Sequence, residues 1–197
     1  LMVSMISMKI FSRDYKDGSM ILFLSRSVVR WQYVLGRITG TWALCLAFMF
    51  ILHLTIFLTV WLKTGSIISG YLIASLVCSI NLLFVIACVC FLSLFMPDFI
   101  SAVFTMGILF IGFISDGGYQ IINSDIVKSA IPSAINGEAA LWRVAYPKVF
   151  MLQAYADAII SKSEFHKMGP IHPLLNLSLF ILLIMMLMLG SFNRKDI

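Results

Sequence analysis

Apolar residues occupy this chain in long blocks, and the polar residues gather between them. From 39 to 62 the sequence TGTWALCLAFMFILHLTIFLTVWL carries no charged residue. A run of ~20 apolar residues makes a helix long enough to cross the ~30 Å hydrocarbon layer of a bilayer. The same pattern predicts full spans over 67–95, 99–115 and 171–192, and a partial span ending near Phe11. The 67–95 block exceeds one crossing, which predicts tilt or a kink near Gly70. The 99–115 block is near the short limit for spanning. Pro97 and Asp98 break the pattern between them, with Asp98 read as a turn or helix-cap residue. The expected fold is all-α, a polytopic transmembrane helical bundle forming one domain over 1–197.

Composition strengthens this reading. Hydrophobic residues make up 61% of the chain and charged residues 12%, with a mean hydropathy of +1.01. A soluble domain is nearer half apolar and a quarter charged. Lipid must therefore cover much of this surface. The formal net charge of +5 does not point to nucleic acid. The basic residues sit beside the apolar blocks, as topology and headgroup charges do.

Orientation follows from those charges. Residues 12–40 carry Arg13, Lys16, Arg26, Arg30 and Arg37, and Arg194 and Lys195 follow the last span. Basic loops stay in the cytoplasm. Placing 12–40 there makes 63–66 an outer turn, 97–98 a cytoplasmic turn and 116–170 an outer loop, and returns Arg194 to the cytoplasm. The outer loop holds Lys128, Arg143, Lys148, Lys162 and Lys167, offset by Asp116, Asp125, Glu138, Asp157 and Glu164.

Polar residues inside spans are candidates for function. His53 lies in the first full span, where hydrogen bonding to a neighbouring helix is expected. Asn81, with Ser79, is expected to face another helix for the same reason. Cys45, Cys78, Cys88 and Cys90 all fall in apolar blocks and read as small buried hydrophobes. Cys88 and Cys90 are two apart, so on a helix they point in different directions. His166 and His172 flank Pro170 but do not make a zinc site. No metal is expected. Trp31, Trp42, Trp61, Tyr71 and Trp142 lie near span boundaries, where aromatic residues anchor helices at the membrane surface.

The segment FSRDYKDGSMILFLSRSVVRWQYVLGRITG, residues 11–40, is amphipathic. Leu22, Leu24, Val28, Trp31, Val34 and Leu35 are interleaved with Arg26, Arg30 and Arg37. Such a stretch lies in the headgroup plane, arginines toward water or anionic lipid. Asp17-Gly18 suits a turn before it, and Ser27 is a candidate N-cap for a short helix running on toward the membrane.

This pattern resembles the cytoplasmic stretch of ABC transporter permeases of the type-2 exporter class. Asp14 and Gly18 match its acidic-glycine element. Ser25, Val28 and Arg30 match the middle element, and Leu35, Gly36 and Arg37 the last, with Arg in place of Lys. Ser27 stands where that family has proline. The family has six spans, with this stretch between the second and third and its longest outer loop, bearing short re-entrant helices, before the last. Residues 116–170 occupy the place of that loop, and YPKVFMLQAYADAII, 146–160, is similar to its proline-led amphipathic piece. The six-span count fits if the first span and part of the second are absent. The chain opens on Leu1, without the n-region or cleavage site of a signal peptide, and reads as part of a longer sequence.

The resemblance implies a coupling segment over 12–38 that docks on a separate ATPase. Asp14, Asp17, Gly18, Arg26, Arg30, Gly36 and Arg37 are its candidate docking residues, and Asp98 a second cytoplasmic contact. The implied partners are an ATP-binding-cassette ATPase, a second permease copy or homologue, and the lipid bilayer of a bacterial or archaeal cytoplasmic membrane. No nucleic acid is expected. ATP and Mg would sit on the ATPase, with no cofactor on this chain. The sequence contains no G-x-x-x-x-G-K-[ST], H-E-x-x-H or G-x-S-x-G, so no enzyme activity of its own is expected. The competing reading is a non-transporting anchor or scaffold subunit that docks partners on 116–170.

Overall fold

A computed structural model of the protein describes residues 3–4, 6–7, 29–65, 70–122, 146–162 and 171–194. Among the described residues there are five helices with described bounds, a few helical residues near the start of the chain, and no strand. The five are α1 (Arg30–Thr64), α2 (Gly70–Ser93), α3 (Asp98–Ile122), α4 (Val149–Ser161) and α5 (Pro173–Arg194). Four of them, all but α4, are long and apolar enough to cross a membrane. The chain is an α-helical, multi-pass membrane protein. Leu62, 81% exposed, and Met186, 73% exposed, show the surface this implies. Apolar side chains displayed at that density are covered by lipid, not water.

Each helix boundary has a local cause. At the start of α1, valine has no side-chain acceptor, so the Gln32 side chain bonds back to the Val29 N–H at 3.3 Å instead. The helix ends where Gly65 takes φ 67° and its N–H bonds to Trp61 O at 2.8 Å. Glycine meets no Cβ penalty in that left-handed conformation. Between α2 and α3, the Pro97 carbonyl accepts the first α3 bond from Ser101 N. Asp98 becomes the first helical residue, where a carboxylate faces the positive end of the helix dipole.

The helices differ from the expected spans in instructive ways. The first was expected at 39–62, but α1 begins nine residues earlier, at Arg30. The last part of the amphipathic segment is thus continuous with the span, not a separate helix in the headgroup plane. Val34 and Ile38, both fully buried, fix it there by packing on Ile86, Cys90 and Met188. Val29 stands before the helix; Ser27, the expected cap, lies outside the described residues. The second span is described from Gly70 to Ser93, and residues 66–69, which precede Gly70, lie outside the described residues. The third span is longer than the 99–115 expected, reaching Ile122. Phe11, the expected end of the partial span, lies outside the described residues. Val3, Ser4, Ile6 and Ser7 are helical, and Val3 packs against the Val34 cluster.

α2 is the central helix. Of its most apolar stretch 44% is buried, against 6% for α1, 17% for α3 and 22% for α5. It touches all four other helices. α1 runs antiparallel to it. Ile38 packs near Ile86 at one end, the Trp42 indole N–H bonds to Ser79 O at 3.1 Å, and His53 meets the Tyr71 ring at 5.6 Å. A second core joins Phe84 and Cys88 of α2 to Leu152 of α4 and to Leu177 and Ile181 of α5. The ends divide by charge. Arg30, Arg37 and Arg194 fall at one end of the bundle, the basic end. The chain ends of α3, α4 and α5 that border 116–170 fall at the other, the loop end.

Candidate functional site

α4 is the element the apolar pattern alone does not announce. It is 13 residues long, about 20 Å. Asn81 Nδ2 of α2 donates to Val149 O at the start of α4, at 3.3 Å. Gly70 of α2 lies against Ile159 near the end of α4. The two helices therefore run antiparallel, α4 beside the loop-end half of α2. Gly70 to Asn81 covers about 16 Å. The end of α4 that starts at Val149 is thus sunk about half-way into a layer ~30 Å thick.

A sunken helix start brings backbone N–H groups where water cannot serve them. The preceding residues form an elbow that answers this. The buried Lys148 N–H donates to Asn176 Oδ1 of α5 at 3.1 Å. The Tyr146 hydroxyl donates to Asp116 Oδ1 of α3. The Asn81 bond follows at Val149. Three residues of the elbow, Tyr146, Lys148 and Val149, are thereby hydrogen-bonded to three different membrane helices. Asp116 and Asn176 are each 2% exposed and Lys148 is fully buried. The elbow lies against Gly112 of α3, where an added Cβ would stand 3.7 Å from Pro147 O, an ordinary contact. Edge-on packing of Phe113 on Phe150, centroids 5.1 Å apart, adds an apolar contact beside it.

Next to the elbow, α3 and α4 border a groove of about 630 Å³. Val103, Phe110 and Phe113 line one wall, and Val149, Phe150 and Gln153 the other. Gln153 supplies its amide group; the rest is hydrocarbon. Val103, Phe110 and Phe113 are exposed on the surface of the bundle, so apolar molecules in the bilayer can reach the groove.

The residues expected to dock a partner divide into two groups. Asp14, Asp17, Gly18 and Arg26 lie outside the described residues. Arg30 opens α1. Gly36 is exposed, with open space where a Cβ would stand. The Arg37 guanidinium lies 5.7 Å from the centre of the Tyr33 ring, one turn back, within the reach of a cation–π contact. Asp98 is half-buried at the head of α3. Arg30, Gly36, Arg37 and Asp98 all belong to the basic end, remote from the elbow.

Other polar residues have settled roles. His53 Nδ1 pairs with Met49 O of its own helix at 2.8 Å, not with a neighbouring helix as expected. A carbonyl can only accept, so this nitrogen carries the proton. Asn81 faces α4, as expected of a polar residue inside a span. Ser79 contributes its backbone carbonyl to Trp42, while its hydroxyl bonds to Leu76 O at 2.6 Å. Trp42 is therefore also a tie between helices. All four cysteines are free, and Cys45, Cys88 and Cys90 are buried. His172 caps the Leu174 N–H at 3.3 Å and meets the Tyr155 ring edge-on; His166 and Trp142 lie outside the described residues.

The sequence places Asp116 and Lys148 among the loop charges, Tyr146 only within the 146–160 piece, and does not single out Asn176. Asn176 carried a usable signal, being an amide inside an apolar block. Asp116, Tyr146 and Lys148 carried none, because their meeting depends on how the chain returns after residue 145. No family model, curated protein or solved structure matches this chain, so the bundle and its elbow stand on their own geometry.

Proposed function

We propose that this chain is the membrane-spanning permease subunit of an ATP-driven exporter of the type-2 ABC class. It works with a second permease and with two copies of a separate ATPase. One observation carries the reading: the motif Asp14, Gly18, Ser25, Val28, Arg30, Leu35, Gly36, Arg37, followed by spans and a loop in that family's order. α1 supports it mechanically. Gly36 and Arg37 belong to one unbroken 35-residue helix, so a push on the motif's end is delivered along a rigid rod into the membrane. Apolar anchors of the segment dominate the docking, and exposed ion pairs contribute only ~0–1 kcal/mol each.

The ATPase binds and hydrolyses ATP with Mg, and this chain converts the resulting motion into rearrangement of its spans. Apolar molecules enter from the bilayer side, where the α3–α4 groove opens. The test is purification of the tagged chain from its native membrane in mild detergent. Recovery of an ABC ATPase in stoichiometric amount is expected. A stable assembly without such an ATPase would contradict the reading.

A further inference from the structure

We propose that α4 is a lid, latched at its sunken end by the 146–149 elbow and hinged at its outer end where Ile159 lies on Gly70. This stands apart from the exporter reading, because it needs no ATPase.

The two ends of α4 are held by different kinds of force. At the sunken end, three directional hydrogen bonds go to three separate helices: Tyr146 to Asp116, Lys148 N–H to Asn176, and Asn81 to Val149 O. Such bonds weaken steeply once stretched or bent, so this end has a made state and a broken state. The outer end rests on a backbone contact at a glycine. Contact of that kind tolerates a small rotation. Immediately after it Lys162 takes φ 52° and ends the helix, with its N–H on Ala158 O. A left-handed residue thus closes α4 at its outer end.

Space and packing set the direction. On the α2 and α5 side, Leu152 is fully buried and Ala156 nearly so. On the α3 side, the groove of about 630 Å³ begins at Val149 and Phe150. The sunken end swings toward the groove, with the edge-on Phe113–Phe150 contact breaking as it moves. When it does, it uncovers the face of α2 around Asn81, whose Oδ1 already accepts no hydrogen bond among the described residues. The lid is closed in this structure. Any event that moves α3 away from α2 and α5 pulls on the elbow, because the elbow is bonded to all three.

Amide hydrogen exchange of the full chain in lipid nanodiscs tests this, since exchange reports the opening of each segment. Tyr146→Phe removes one hydroxyl, and Asn176→Leu removes the acceptor for Lys148 N–H. Each is expected to speed exchange over 149–154 by about 3–10-fold. Segments 157–161 and 173–194 stay at their wild-type rates. Asn176→Asp, which keeps an acceptor, restores slow exchange. Gly70→Ala disturbs the other end and speeds 157–161 first. Unchanged exchange over 149–154 in Tyr146→Phe would overturn the proposal. So would a uniform rise across α4 and the spans, which would show loss of the fold and not movement of a lid.

Discussion

A methyl group placed on Gly70 would stand 2.5 Å from the carbonyl oxygen of Ile159 and 3.2 Å from its carbonyl carbon. Real Cβ atoms do not approach that closely, and the obstacle is backbone, which cannot rotate aside. The close pairing of α2 with α4, and so the depth of the elbow, depends on this glycine.

Gly70→Ala therefore destabilises the bundle by about 1–3 kcal/mol, as overpacking does. Gly36→Ala and Gly40→Ala provide the contrast, because nothing lies within 4 Å of a Cβ at either position. Both are neutral or gain up to ~1 kcal/mol from better helix propensity. Thermal unfolding in detergent, followed by circular dichroism, reads all three.

Trp42→Phe keeps the ring and loses the indole N–H that bonds to Ser79 O. Hydrogen bonds between membrane helices contribute about 0.6 kcal/mol on average and up to ~1.7. A loss in that range is expected in steric-trap or denaturant unfolding. No loss would show that Trp42 serves as a surface anchor only.

Lys162 ends α4 in a left-handed conformation, at φ 52°, which costs a non-glycine residue about 1–2 kcal/mol. Lys162→Gly relieves that strain and slows exchange of the 158–161 amides. Faster exchange there would mean that the lysine side chain stabilises the turn by more than the strain.

Arg26→Glu and Arg30→Glu test the docking of the basic segment. Each single reversal weakens ATPase co-purification slightly, since exposed pairs contribute little. The double reversal replaces two attractions by repulsions and lowers the recovered ATPase by more than either single change, while the unfolding midpoint stays within two degrees or so of wild type.

The helices and their membrane placement were legible because the apolar blocks are long and the charges lie between them. Boundaries were less so. The charge-free apolar block puts the start of the first span at residue 39, two residues past Arg37. The helix continues below it because Val34 and Ile38 have partners on α2 and α5. The site divides the same way. Asn81 announced itself as an amide in an apolar span. Its partner Val149 O is a backbone atom, and Asp116 and Tyr146 are thirty residues apart. Nothing local in the sequence says that they meet, because their encounter is a property of the returning chain.

The central claim is that the basic segment over 12–38 lies on the ATPase side of the membrane, opposite the outer end of α4. Single cysteines at Lys16 and Lys162, in a background lacking the four native cysteines, test it with a membrane-impermeant thiol reagent on intact cells. Lys162→Cys should label without permeabilisation and Lys16→Cys only after it. Labelling of Lys16→Cys in intact cells would contradict the account.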